Sequence, residues 1–151
     1  MKRRILLVDN DVTVLLTLKA VLELNQFEVD TAASAGEAIE KLHSGVYQMV
    51  ITEACMETDD AGFHVIRAAR QQAYNPASAL LTASPARNGG WKQHTGAQSL
   101  LVKPIGTEDL LRQIEALLVS HEDEKRSPRR ADYTADRQIP AWNREGGRKV
   151  S

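Results

Sequence analysis

The sequence predicts an α/β protein built on a doubly wound parallel sheet, and three observations predict it. Four short apolar runs each stop on polar side chains. Ile5-Leu6-Leu7-Val8 meets Asp9-Asn10-Asp11, Met49-Val50-Ile51 meets Thr52-Glu53, Ala79-Leu80-Leu81 meets Thr82, and Leu100-Leu101-Val102 meets Lys103-Pro104. Unbroken Val, Ile and Leu are what a strand needs when helices cover both of its faces. Segments with helical period separate the runs, and right-handed crossovers of such units wind helices onto both sides of one sheet. Polar residues at the last strand positions then line the carboxyl edge, where open α/β sheets place their ligands.

Taken in order, Val12 to Leu24 carries Leu15, Leu18 and Leu22 on one helical stripe with Val14 and Val21 beside it. Phe27, Val29 and Thr31 alternate with Glu28 and Asp30, the pattern of a half-exposed strand near a sheet edge. Ser34 and Glu37 have capping-box spacing and open a helix that runs to about His43. After the strand ending at Glu53 comes a polar loop, Glu57-Thr58-Asp59-Asp60. A helix is predicted from about Ala61 to Ala73 with Phe63, Ile66 and Ala69 inward, ended by Asn75-Pro76. Between Thr82 and the last strand, Pro85 and Gly89-Gly90 make the fourth helix short or irregular, since Gly costs about 1 kcal/mol against Ala in a helix. Thr107 caps the last helix, with Glu108 and Asp109 favouring its dipole and Leu110, Leu111, Ile114, Leu117 and Leu118 facing the core.

Composition bounds the function. With 42% hydrophobic and 26% charged residues in 151, the chain can pack one domain and is neither disordered nor membranous overall. The formal net charge of -1 gives bulk electrostatics no preference for nucleic acid or an anionic membrane. One cysteine, Cys55, excludes an internal disulfide, and no apolar stretch approaches the length of a membrane span or a signal-peptide core, so a cytoplasmic protein is expected. Residues 121–151 hold 8 Lys/Arg and 6 Asp/Glu, with Tyr133 and Trp142 as their only Phe, Tyr or Trp residues. Such a segment buries too little to offset its ordering entropy, so the expected organisation is a domain over 1–120 and a flexible charged tail over 121–151.

The rim offers the carboxylates of Asp9, Asp11 and Glu53, the amide of Asn10, the hydroxyl of Thr82 and the ammonium of Lys103. Converging acidic oxygens suit a hard divalent cation such as Mg2+, and a hydroxyl with a lysine suits the oxygens of a phosphoryl group. Taken singly, Asp11 reads as a helix cap and Thr82 as a strand end. His43, His64, His94 and His121 lack zinc-ligand spacing, and no glycine-rich loop follows the first strand as a nucleotide fold would require. Cys55 reads as a small buried hydrophobe and Trp91 as a packing or interface residue.

Four segments, ILLVDND (5–11), YQMVITEACM with Gly62 (47–62), ALLTA (79–83) and GAQSLLVKP (96–104), make residues 1–120 resemble the receiver domain of two-component response regulators. The resemblance implies a flavodoxin-like (βα)5 fold with strand order 2-1-3-4-5. It implies further that an aspartate ending the third strand takes phosphate from a histidine kinase, beside acidic ligands for Mg2+, a Thr/Ser switch and a lysine. Those roles fall on position 53, on Asp9 and Asn10, on Thr82 and on Lys103.

Departures from that pattern set the functional expectation. The phosphoacceptor position is Glu53, whose extra methylene moves the carboxylate by about 1.5 Å. A misplacement of ~1 Å can cost ~100-fold where in-line geometry matters. Asn10 supplies a neutral ligand in place of a charged one, so Mg2+ binding through Asp9, Asn10 and Asp11 is expected to be weak. Leu100 stands where an aromatic residue is common, and Glu57-Thr58 where Pro-Gly is usual. The expectation is a stand-alone, non-enzymatic pseudo-receiver. It signals by contact with a histidine kinase or a downstream signalling protein, or as a homodimer through the fourth helix, fifth strand and fifth helix. Glu53 either mimics the activated state or leaves the domain inert. The alternative is a Mg2+-dependent phosphoacceptor using Glu53. Nucleic-acid binding through the tail is disfavoured by its six acids, and flavin binding rests on fold analogy alone.

Overall fold

The computed structural model describes residues 2–85 and 89–126, with the side chain of His94 excepted. Five strands alternate with five helices: β1 (Arg3–Val8), α1 (Val12–Leu24), β2 (Phe27–Ala32), α2 (Ala35–Ser44), β3 (Met49–Glu53), α3 (Ala61–Arg70), β4 (Ala77–Thr82), α4 (Trp91–Thr95), β5 (Ser99–Val102) and α5 (Thr107–Lys125). All strand pairs are parallel and the order is β2-β1-β3-β4-β5, the flavodoxin-like arrangement the sequence predicts. The sheet belongs to a unit of residues 1–118, and 119–151 form a second unit.

Side chains alternate across each strand, so each run of apolar residues feeds two cores at once. Ile5, Leu7, Ile51 and Leu81 pack with Leu15 and Leu22 of α1 and with Leu110, Ile114 and Leu118 of α5. Leu6, Val8 and Val50 face the other way, onto Ala38 and Leu42 of α2 and Val65 and Ala69 of α3. A smaller cluster joins Ala54, Ile66, Leu80 and Ala97, with Phe63, Trp91 and Leu100 partly buried against it. Trp91 is thus a packing residue, and Leu100 fills the place of an aromatic ring with aliphatic bulk.

Caps set the helix starts. Asp11 accepts the backbone N–H groups of Thr13 and Val14 at α1, and Ser34 accepts that of Glu37 at α2. The Glu37 carboxylate reaches back to the N–H of Ala33, one residue before the cap. On the edge strand β2, Asp30 accepts the Tyr47 hydroxyl at 2.7 Å and pairs with Arg4, whose guanidinium lies over the Tyr47 ring. Burial works to raise the Asp30 pKa, but the Tyr47 and Arg4 hydrogen bonds outweigh it and hold the carboxyl below its ordinary value. Burial and the same bond push the Tyr47 phenol well above its ordinary range.

Boundaries differ from the sequence prediction in two places. The third helix stops at Arg70, three residues before Ala73, because Gln71 and Gln72 turn to i−3 carbonyls and Asn75 takes a positive φ of 49°. The last helix runs past 120 to Lys125, so residues 121–125 are helical, in a segment of good helix formers where Glu122 and Lys125 pair at i,i+3. The rest of the expected tail from 127 onward, Tyr133 and Trp142 included, lies outside the described residues. As predicted, α4 is short, five residues following Gly89-Gly90.

Candidate functional site

The carboxyl edge of the sheet gathers Asp9, Glu53 and Lys103 into one ion cluster. Asp9 follows the last residue of the interior strand β1 and is fully buried, its N–H bonded to the Ala32 carbonyl of β2. Glu53 closes β3 and is 8% exposed. Lys103 follows β5, where its N–H bonds the Thr82 carbonyl at 2.8 Å. The lysine side chain runs back over the sheet edge, and its Nζ lies 2.8 Å from Asp9 Oδ2 and 2.7 Å from Glu53 Oε1.

Every carboxylate oxygen in this cluster already accepts a hydrogen bond. Asp9 Oδ1 takes the Asp11 N–H at 2.9 Å, and Glu53 Oε2 takes the N–H groups of Ala54 and Cys55 at 2.9 and 3.3 Å. Burial works to lower the Lys103 pKa, but hydrogen bonds and charge from Asp9 and Glu53 outweigh it and raise it above the ordinary lysine value. The ammonium therefore stays charged between its two acidic partners.

Other predicted site residues take different places. Asp11 is exposed, its carboxylate spent on the α1 cap, and Asn10 is exposed beside it. Thr82 is buried at the same rim, where its hydroxyl accepts the Ser84 N–H at 3.0 Å. Cys55 is half-buried rather than buried, with its thiol on the Asp59 carbonyl. Among the described residues no group of three His, Cys, Asp or Glu side chains could hold a metal ion. Mg2+ is held in proteins by one or two carboxylates with waters completing its octahedron, and here the two converging acids, Asp9 and Glu53, have the Lys103 ammonium between them.

One contributor escapes sequence reasoning. The Glu57 carboxylate crosses from the loop after β3 to the N-terminus of α2 and accepts the Ala35 N–H at 3.0 and 3.2 Å. That N–H is one a helix cannot satisfy within itself, and the contact spans 22 residues, so no local pattern announces it. It fixes the loop that leaves Glu53. Replacing Glu57 by Gln should cost about 1 kcal/mol in urea denaturation and speed amide exchange at Ala35.

Beside the cluster, a groove of about 440 Å³ lies between α1 and the segment after β5, lined by Thr13, Val14, Leu18, Leu81, Pro104 and Ile105 among others.

A family profile described as the response regulator receiver domain matches residues 5–115. The chain belongs to that family. It is similar to the transcriptional regulatory protein BasR of Escherichia coli, 29% identical over 125 residues, covering 82% of this chain and 56% of BasR. It is also similar to the regulatory protein VanRB of Enterococcus faecalis, 30% identical over 118 residues, covering 78% of this chain and 53% of that one. The chain thus spans about half the length of these relatives. Among solved structures, a CheY-like receiver from Methanospirillum hungatei superposes with a TM-score of 0.75 at 27% identity, covering 82% of this chain and 99% of that one. TrrA of Thermotoga maritima, solved in complex with Mg(2+)-BeF, gives a TM-score of 0.66 at 30% identity, covering 76% and 98%. The rim described above is therefore that of a receiver in two-component signalling, with a glutamate closing its third strand. No described helix of this receiver is long and apolar enough to cross a membrane.

Proposed function

We propose that this receiver signals by protein contact without being switched by phosphate, and that it is not an enzyme. The observation that carries the reading is the position of the Lys103 ammonium, 2.8 Å from Asp9 and 2.7 Å from Glu53. The reach of the glutamate brings its carboxylate to the lysine, so the cluster is internally neutralised as far as one cation allows. An incoming phosphoryl group would have to break the Glu53–Lys103 pair and compete with the glutamate for the ammonium. Mg2+ would have to displace the ammonium and recruit Asn10, a neutral ligand, so its binding is weak. Partners are a histidine kinase or a downstream signalling protein, and the exposed Val102 at the end of β5 offers such a partner an apolar contact.

Incubation with Mg2+ and acetyl phosphate, followed by intact-mass and peptide analysis, tests the reading. The wild-type chain should gain no phosphoryl group, while Glu53→Asp should gain Mg2+-dependent label at residue 53, because the shorter side chain withdraws from Lys103 and opens the in-line approach. Label on Glu53 itself would establish the alternative, a Mg2+-dependent glutamyl phosphoacceptor of the kind that the likeness to Mg2+-bound TrrA favours. If Glu53→Asp stays unlabelled, Asn10 or the Glu57 loop is a second lesion.

A further inference from the structure

Acids and bases are unevenly spread along this chain. No Asp or Glu occurs from residue 61 to residue 107, although the whole chain of 151 residues holds 20 of them. The same stretch carries five Lys/Arg, namely Arg67, Arg70, Arg87, Lys92 and Lys103, and it supplies all of α3, β4, α4 and β5. Ion pairing follows the same division. In the unit of residues 1–118, Arg3, Arg4, Lys19, Lys41, Lys103 and Arg112 each pair with a carboxylate. Arg87 lies outside the described residues. Apart from Lys2 at the chain end, Arg67, Arg70 and Lys92 are the described Lys/Arg of that unit without a carboxylate partner, and all three are exposed.

These three cations share one surface. Arg67 and Arg70 stand one turn apart on α3, at i,i+3. The Arg70 guanidinium crosses to α4, where its Nη1 donates to the Thr95 carbonyl at 3.2 Å. It also lies against Gly96, so closely that a Cβ there would stand 2.0 Å from Nη1. The Gly96 N–H donates to the Lys92 carbonyl at 2.8 Å, which sets Lys92 one turn back along α4 from that contact.

We infer that the α3–α4 surface is a docking site for an acidic helix of a protein partner, with Arg67, Arg70 and Lys92 as its cationic contacts; this rests on the reading that the receiver works by protein contact, and not on whether its rim takes phosphate. Arginine forks match carboxylates bidentately, and an i,i+3 pair spaces them about 5–6 Å apart at the Cβ atoms. A partner helix with glutamates one turn apart presents carboxylates at the same spacing. The Thr95 carbonyl already holds Arg70 in place, so less side-chain freedom is lost when its other N–H donors take a carboxylate. A nucleic-acid backbone fits less well. Three cations neutralise few phosphates, Asp59 and Asp60 precede the same helix, and the chain as a whole is net negative at -1.

Fluorescence anisotropy and backbone NMR of the full chain test this with three fluorescein-labelled probes. Two are helical Ala/Glu/Gln peptides of one composition, the first with its glutamates one turn apart on a single face and the second with them spread around the helix. The third is a short DNA duplex. At about 50 mM salt the face-patterned peptide should bind at least ~5-fold tighter than the scattered one, lose affinity steeply at about 500 mM, and shift the amides of Arg67, Arg70, Lys92 and Gly96. Arg67→Ala and Lys92→Ala should each weaken it about 3–5-fold, the size of an exposed ion pair, and the double variant Arg67→Glu, Lys92→Glu should abolish it. Lys19→Ala, which removes a paired cation on α1, should bind like the wild type, with circular dichroism confirming the fold of each variant. Absence of binding, equal affinity for the two peptides, shifts confined to other elements, or patch variants that bind like the wild type each overturn the proposal. So does a duplex that binds tighter than the patterned peptide through the same three residues. Phosphate on the rim would leave all these outcomes unchanged, so the two readings fail separately.

Discussion

Lys103→Met should lower the unfolding free energy of the receiver by about 3 kcal/mol at pH 7, measured by urea denaturation. Methionine keeps most of the length of the side chain and removes its charge together with the N–H donors that bond Asp9 and Glu53. Asp9 Oδ2 and Glu53 Oε1 both lie within 2.8 Å of the lost nitrogen, hence within about 5.5 Å of each other, at a site where Asp9 is fully buried. Removing one partner of a buried pair commonly costs ~3–5 kcal/mol, because the remaining charge is left uncompensated. The Lys103 side chain is 21% exposed, so water relieves part of that cost and the lower end applies. The pH dependence gives a second check. Lys103 has a folded pKa above its unfolded value, so the stability it contributes is complete below about pH 10.4 and is lost only as pH rises through the folded value. The wild type should therefore show no lysine-dependent loss between pH 6 and 9. Lys103→Met combined with Glu53→Gln should recover most of the loss at pH 7, a coupling that a purely steric effect of methionine would not produce.

How much of this was legible in the sequence follows from the range over which each feature is decided. Strand ends and their polar residues are written locally, as apolar runs that stop, whereas the sheet order is what the resemblance to receiver domains implies. Asp11 as a cap was readable for the same reason, since a helix start needs an acceptor within three residues. That Lys103 would bridge Asp9 as well as Glu53 is not readable, because three strands meet at that point and no local pattern links residue 103 to residue 9. Glu57 was invisible as a helix ligand for the same reason. The end of α3 was misplaced because Gln71, Gln72 and Ala73 are adequate helix formers, and the turn at Asn75 overrode them. The reach of α5 was underestimated because a run of mixed charge reads equally well as a solvated tail or as the exposed end of a helix.

Gly62→Ala should destabilise the domain by about 3 kcal/mol, lowering Tm by roughly 10 °C in a thermal melt. Helix propensity alone argues the opposite sign, since Ala is favoured over Gly by up to about 1 kcal/mol inside a helix. Packing decides. A Cβ at Gly62 would lie 2.2 Å from the Glu53 carbonyl oxygen and 2.7 Å from the Ala54 Cα, and both are backbone atoms that no side-chain rotation can clear. The first turn of α3 is pressed onto the end of β3, where the Gly62 N–H donates to the Ala54 carbonyl at 2.8 Å. Relieving the clash means lifting α3 away from the strand or shifting the strand end itself. That strand end carries Glu53 and donates the Ala54 and Cys55 N–H groups to its carboxylate. The damage should therefore reach the ion cluster, and backbone NMR shifts should change at Glu53, Ala54 and Lys103 as well as along α3. Gly36→Ala is the matched control. Gly36 is also helical, in the first turn of α2, but an added Cβ there meets nothing within 4 Å. That substitution should raise stability by about 0.5–1 kcal/mol. Opposite signs for the same chemical change would separate backbone freedom from close approach, and a stabilised Gly62→Ala would show that α3 does not rest on β3 as described.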